Sequence, residues 1–149
     1  MNTVLNQEDL DRLTDFAEGF HDGCIKEMRY VSGAFVDPER WMHPTNDKRE
    51  LRVVIQSQSE AVGAVELVFQ RLRFLKLFPV DETCSCEIHD SKLVFRHGFV
   101  YWCDSADVRD EDLDTYEGTV VCAEALQWRR LDPRLGKEPF YSLPPAEDE

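Results

Sequence analysis

The sequence contains no long apolar run, and its first residues carry no sign of a secretory signal. None of its apolar stretches approaches the roughly 20 residues that a transmembrane helix requires. The opening residues show neither the basic segment nor the apolar segment of a signal peptide. The sequence therefore predicts a cytoplasmic protein that has no membrane partner.

Positive charge is also scarce. The chain has 17 lysines and arginines against 30 aspartates and glutamates, which gives a formal net charge of −13. Binding to a phosphate backbone requires clustered lysine and arginine side chains, so we expect no nucleic acid partner. The negative charge would attract a basic protein partner, but solubility alone also explains it, and both explanations stay open.

Familiar catalytic motifs are missing. The sequence has no G-x-S-x-G, P-loop, H-E-x-x-H or G-x-G-x-x-G pattern. We therefore lean towards a protein that is not an enzyme, and we expect no cofactor. A Cys–His pair assembled by the fold stays open, because such partners are distant in sequence.

The number of cysteines is odd, whereas a complete disulfide framework requires an even number. The five cysteines are Cys24, Cys84, Cys86, Cys103 and Cys122. Their odd number and their position in strand-like runs are typical of reduced, buried thiols inside the cell.

The length of 149 residues and the hydrophobic content of 42% indicate one globular domain. Regular patterns extend over residues 1–131. Residues 132–149 are rich in proline and end in three acidic residues, which predicts a loose acidic tail. Within this tail, Phe140 and Tyr141 are the residues that we expect to be tethered.

The segment Lys92–Cys103 has the clearest structural pattern. Two runs of β-branched and aromatic residues flank His97-Gly98, which is the signal of a two-residue hairpin turn. The register of this hairpin predicts an apolar face formed by Leu93, Phe95, Val100 and Trp102. The other face is predicted to be a mixed surface, formed by Lys92, Val94, Arg96, Phe99, Tyr101 and Cys103.

One helix and a series of strands are predicted around this hairpin. An amphipathic helix covers residues 6–19, with Asn6 as its cap, a return bond from Asp9 and a contact between Leu5 and Leu10. The other predicted strands are 25–35, 51–58, 64–78, 83–88 and 119–131. Because short links favour antiparallel neighbours, we expect an α+β fold, mostly antiparallel β: a sandwich or partly closed barrel of about six strands.

The segment 36–49 is predicted to be a loop because it contains Asp37-Pro38, His43-Pro44 and Asn46-Asp47. Trp41 and Met42 are large for a solvated loop. They either fold back on the domain or form a contact patch.

One thiol–imidazole group occurs, formed by Cys84, Cys86, His89 and Cys103. Thiolates and an imidazole are suitable ligands for zinc. Structural zinc sites use C-x₂₋₄-C spacing, however, whereas C-x-C on a strand places both sulfur atoms on the core face. We therefore expect core thiols, with these four residues as the metal-ligand alternative.

An acidic segment follows the hairpin, and its carboxylates are Asp107, Asp110, Glu111, Asp112, Asp114 and Glu117. Three of them match positions one, three and five of an EF-hand loop. The match then fails, because Thr115 replaces the glycine at position six and Val121 replaces the glutamate at position twelve. The segment is predicted to be a solvated loop or a docking patch for a basic partner.

The run Phe20–Glu27 (FHDGCIKE) and the following Tyr30–Ala34 (YVSGA) resemble the opening of small bacterial proteins of unassigned function. Glu87-Ile88-x-Asp90 and Ala125-Leu126-x-Trp128-Arg129 are similar to those proteins too. The resemblance covers Phe20 to Arg130. It implies an intracellular bacterial domain and brings no catalytic residues. Immunity proteins that neutralise basic toxins are analogous in charge and size.

From these patterns we expect a non-enzymatic acidic protein-binding module, most concretely an immunity-type inhibitor of a basic protein partner. The acidic loop would steer the partner, and Trp41, Tyr116 or Phe140 would anchor it. Two alternatives stay open. One is a small metal-binding protein or enzyme that uses the thiol–imidazole group. The other is a homo-oligomeric structural protein that packs Phe99 and Tyr101 on a copy of itself.

Overall fold

Residues 1–142 are described by a computed structural model, which shows one α-helix and two antiparallel sheets. The elements in chain order are β1 (Asn2–Val4), α1 (Gln7–Phe16), β2 (Gly23–Val31), β3 (Phe35–Val36), β4 (Met42–His43), β5 (Glu50–Ser57), β6 (Ala64–Lys76), β7 (Lys92–Arg96), β8 (Phe99–Cys103) and β9 (Val120–Leu131). The larger sheet has seven strands, in the order β2-β5-β6-β9-β8-β7 with β1 paired to β9. The smaller sheet is the β3–β4 pair. The predicted α+β class with mostly antiparallel strands is confirmed, and the larger sheet does not close.

The hairpin formed by β7 and β8 has the predicted register, in which Arg96 pairs with Phe99 and Leu93 pairs with Trp102. Its second strand pairs with β9. Strand β9 also pairs with β6 and with β1, so the first strand of the chain lies beside its last strand.

Helix α1 begins as predicted. The Asn6 side chain accepts a hydrogen bond from the N–H of Asp9 at 2.9 Å, and the Asp9 carboxylate accepts one from the N–H of Leu5 at 2.8 Å. The predicted contact of Leu5 is wrong, because its side chain is 78% exposed. The helix also ends before residue 19, since Gly19 adopts a positive φ of 65° inside a short 3₁₀ turn at Glu18–Phe20.

The helix covers one face of the sheet, which we call the inner face. Its Leu10 and Leu13 side chains are fully buried against inner-face residues such as Phe69 and Trp102. Burial of side chains of this size contributes roughly 1.5–3 kcal/mol each. The apolar face that the sequence predicts for the hairpin belongs to this core.

The opposite face of the sheet, the outer face, carries a second apolar cluster. Its buried members are Tyr101, Cys103, Leu113, Val120 and Cys122. The face is mixed, as predicted, because it also carries Lys92 and Arg96, whose side chains donate to the Val108 and Asp110 carbonyls. The segment between β8 and β9 folds back over its apolar part. Leu113, from the middle of the acidic segment, is fully buried in this cluster.

Three predicted segments differ from the structure. Residues 83–88 do not form a strand: only Ile88 makes an isolated bridge, with Gly23. The predicted loop 36–49 contains all of β4 and the second residue of β3. The predicted strand 64–78 ends at Lys76, and its pairing with β9 shifts between Leu72 and Phe74.

No helix within residues 1–142 has the length and apolar character needed to cross a membrane. The tethered part of the predicted tail, Phe140 and Tyr141, is half-buried. Pro144-Pro145 and the acidic end, residues 147–149, lie outside the described residues.

Substitution of Leu113 tests whether the acidic segment is packed on the outer face. Leu113→Ala is expected to lower the free energy of unfolding by about 2–5 kcal/mol, because it leaves a cavity in a buried cluster. Urea unfolding followed by circular dichroism measures this change. The matched control is Leu5→Ala, where a 78% exposed side chain is removed and the expected cost is below about 0.5 kcal/mol. Equal, small effects of the two substitutions would show that the segment is not packed.

Candidate functional site

The acidic segment between β8 and β9 is partly used for internal contacts. Asp110 forms an ion pair with Lys92 at 2.5 Å, and Asp112 forms one with Arg109 at 3.0 Å. Asp114 accepts a hydrogen bond from the Tyr101 hydroxyl at 3.1 Å. The acidic side chains left free for a docking surface are therefore fewer than the sequence suggests, and within residues 1–142 they include the exposed Asp107 and Glu117. Glu111 is also exposed, but it forms an ion pair with Arg109 at 3.6 Å.

Tyr116, a predicted anchor, points into the molecule. Its hydroxyl donates to the Asp104 carboxylate at 2.8 Å, and its ring packs against the second cluster. Burial, followed by this hydrogen bond, raises the pKa of Tyr116. Burial, followed by hydrogen bonding with Cys122 and then with Asp114, raises the pKa of Tyr101. Both hydroxyls are therefore protonated at neutral pH, and they fasten the acidic segment to the sheet.

The predicted thiol–imidazole group is not assembled. Cys103 is fully buried in the second cluster, as expected of a core thiol. The same expectation is wrong for Cys84 and Cys86, which are exposed with His89 on the segment before β7. Within residues 1–142, no three His, Cys, Asp or Glu side chains are placed together as metal ligands. Burial raises the pKa of the Cys103 thiol, so this thiol is neutral and weakly nucleophilic at neutral pH.

The face that the homo-oligomer alternative requires is partly covered by the chain itself. Tyr101 is only 6% exposed beneath the acidic segment, and the Arg73 guanidinium lies over the Phe99 ring at 4.5 Å. Tyr101 is therefore not presented for contact with a second copy, whereas Phe99 is half-buried.

The β3–β4 pair forms an arm, residues 34–47, that exposes a group of large apolar side chains. The exposed fractions are 56% for Phe35, 72% for Trp41 and 63% for Met42. The sequence left open whether Trp41 and Met42 fold back on the domain, and the structure places both in solvent. Exposed apolar groups of this kind mark surfaces that bind other molecules.

Local bonds hold the arm in one conformation. The Asp37 carboxylate accepts from the N–H of Trp41 at 2.9 Å and contacts the His43 imidazole at 2.9 Å. The His43 ring stacks on Phe35, with the ring centroids 4.4 Å apart. The hydrogen bond with His43, followed by the one from Trp41, lowers the pKa of Asp37, which is therefore ionised at neutral pH. The exposed tryptophan is thus carried on an ordered element.

A charged network lies on the other half of the outer face, where β5, β6 and β9 are adjacent. The Glu66 carboxylate at its centre is fully buried. It pairs with the Arg52 guanidinium at 3.2 Å and with that of Arg129 at 2.9 Å. Its second oxygen accepts a 2.6 Å hydrogen bond from the Tyr141 hydroxyl.

The segment Lys137–Tyr141, which we call the strap, crosses this network. The Glu27 carboxylate accepts hydrogen bonds from the N–H groups of Phe140 at 2.9 Å and Tyr141 at 2.6 Å. The Lys26 ammonium donates to the Lys137 carbonyl at 3.1 Å. Although partial burial opposes it, the two backbone donors lower the pKa of Glu27. The strap is therefore bound through an ionised carboxylate.

Sequence reasoning missed this network entirely. Arg52, Glu66 and Arg129 each occupy a polar position in an otherwise apolar strand, and that was the available signal. Their meeting depends on the pairing of β5, β6 and β9, which local patterns do not reveal. The predicted anchor Phe140 lies at the edge of the network, with its ring 5.8 Å from the Arg129 guanidinium.

Comparisons of the chain with family models, curated proteins and solved structures found no match.

Removing the Tyr141 hydroxyl tests the strap. Tyr141→Phe keeps the ring but leaves a buried carboxylate oxygen without its donor, so we expect a loss of about 1–3 kcal/mol in the free energy of unfolding. Tyr30→Phe, at a side chain that is 49% exposed, is the matched control and should change little. Limited proteolysis within the strap should also be faster in Tyr141→Phe. Identical stability and cleavage rate in both variants would contradict the role assigned to this hydroxyl.

Proposed function

We propose that the protein is a non-enzymatic protein-binding module whose contact surface is the arm formed by β3 and β4. The observation that carries this proposal is the exposure of Trp41 on an ordered element. Tryptophan is the residue type most enriched among the side chains that dominate binding energy at protein interfaces. An arm that is ordered before binding loses less conformational entropy on association.

The chemistry of the partner follows from charge. With a formal net charge of −13, the protein attracts a basic partner and repels acidic ones. The free carboxylates of the acidic segment contribute to this attraction, whereas the apolar side chains of the arm supply short-range contacts. An immunity-type inhibitor of a basic bacterial protein is the most concrete form of the proposal.

We place the protein in the cytoplasm. All five cysteines are free thiols in the structure, which suits a reducing compartment. A partner encountered there would be an intracellular protein of the same cell or a toxin that enters it.

Substitution on the arm is the direct test of the contact surface. A pull-down from the source organism's lysate at low salt should retain a basic protein, and Trp41→Ser should weaken its binding at least about tenfold, the effect of losing one dominant contact. The fold should be unchanged, because the side chain is 72% exposed. Leu77→Ser, at a side chain that is 52% exposed outside the arm, is the control. Equal binding by the two variants would exclude the arm as the contact surface.

Neutralising three exposed carboxylates of the acidic segment tests the charge contribution. Asp110 and Asp114 are unsuitable for this purpose, since both also hold the segment on the sheet. The variant Asp107→Asn/Glu111→Gln/Glu117→Gln should slow association several-fold at low salt and change little at high salt.

The control for this experiment removes the same charge elsewhere, with the exposed positions Asp15→Asn/Glu18→Gln/Glu60→Gln. A smaller effect of the control than of the loop variant would identify the acidic segment as the docking patch. The same effect in both would show that only total charge matters, and no effect in either would remove the basic partner from the proposal.

A further inference from the structure

A cavity of about 410 Å³ opens on the outer face, beside the Glu66 network. Side chains of β2, β5, β6, β9 and the strap line it, together with Lys48 before β5. Its volume lies within the range of small-molecule sites. Neither the arm nor the acidic segment lines it, so the cavity is independent of the surface proposed above.

Four cationic side chains line the cavity: Arg29, Lys48, Arg52 and Arg129. Two carboxylates, Glu50 and Glu66, accompany them. The cavity therefore carries a net positive charge in a protein whose overall formal charge is −13. A positive cavity on a strongly negative protein concentrates anions at one place.

The two carboxylates that line the cavity form ion pairs with Arg52 and Arg129. The Arg52 Nε atom donates to Glu50 at 2.8 Å, and both arginines pair with Glu66. Arg29 and Lys48 are exposed and have no ion pair or side-chain hydrogen bond to another side chain within residues 1–142. Their five and three donor hydrogens are available to a ligand, and the cross-strand pairing places Arg29 beside Arg52.

We infer that this cavity binds the oxyanion group, phosphate or carboxylate, of a small molecule. Arg29 and Lys48 are the primary ligands, because their charges are not used in the fold. Arginine presents paired donors that match the oxygen geometry of phosphate and carboxylate groups. The Arg129 guanidinium, held by Glu66 at one side, adds a third positive charge.

The strap limits the shape of the ligand. The Phe140 ring and the Tyr141 side chain form one wall of the cavity, and Val31 contributes an apolar side chain from β2. A bound molecule therefore meets charge on the sheet and an aromatic surface on the strap. This combination favours an oxyanion that is attached to a flat or apolar group over a bare inorganic ion.

Titration calorimetry at constant ionic strength tests the inference, with inorganic phosphate, phenyl phosphate and benzoate as probes. We expect phenyl phosphate or benzoate to bind more tightly than phosphate, and the comparison distinguishes a phosphate from a carboxylate ligand. The variant Arg29→Gln/Lys48→Gln should weaken binding at least about tenfold, since each lost charge-assisted hydrogen bond contributes that order of effect. Its stability should be unchanged.

The matched control, Arg12→Gln/Arg109→Gln, removes the same charge at two side chains that are 68% and 73% exposed and that do not line the cavity. Unchanged affinity in this control supports the site. Equal weakening in both variants would reduce the effect to general electrostatics, and full affinity in Arg29→Gln/Lys48→Gln would place binding elsewhere. Either result overturns the inference, as does the absence of binding by all three probes.

A second measurement does not depend on the folding of any variant. On addition of phenyl phosphate or benzoate to the unaltered protein, the backbone amide resonances of Phe140 and Tyr141 should shift. Shifts confined to other parts of the chain would overturn the assignment of the site to this cavity.

Discussion

The fully buried Glu66 carboxylate imposes the strongest single constraint on the structure. An isolated charge at this position would lose its hydration at a cost of several kcal/mol, so the fold must supply cations and donors. Arg52 comes from the strand on one side and Arg129 from the strand on the other. A register slip of either neighbouring strand would move its arginine to the inner face, which makes the network a determinant of strand alignment. The Tyr141 hydroxyl completes the set and ties the strap to the centre of the sheet.

The two halves of the outer face avoid unpaired buried polar groups in different ways. Near β8, apolar side chains such as Leu113 exclude water, and the carboxylates of the acidic segment are bonded to Lys92 and Tyr101 at its margin. Near β5, polar side chains remain on the sheet and are satisfied by one another and by the strap. Several of the 30 acidic side chains already have cationic or hydroxyl partners, so a binding partner would meet fewer unpaired carboxylates than the composition suggests.

Local chemistry explains which parts of the fold were predictable. The hairpin at His97-Gly98 and the Asn6 cap depend on residues a few positions apart, so both can be predicted from the sequence. The strand predicted at 83–88 was wrong because its alternation of Cys84, Cys86 and Ile88 implied a buried face, whereas no layer covers the two cysteines. The Glu66 network and the burial of Leu113 depend on pairings between distant segments. Such pairings cannot be predicted from a single sequence when the strand register is unknown.

The arm and the cationic cavity are neighbours because the same connection builds both. The arm leaves the end of β2 and returns to β5, and its base is closed where the N–H groups of Lys48 and Arg49 donate to the Ser32 carbonyl at 3.1 and 3.0 Å. Lys48 therefore lies directly after the arm and also lines the cavity. Electrostatic interactions extend over roughly 8 Å at physiological salt, whereas apolar interactions require direct contact. The charged cavity and the apolar arm therefore act over different distances. In the proposed function, overall negative charge would govern the approach of a basic partner, and the apolar side chains of the arm would act once the partner touches them.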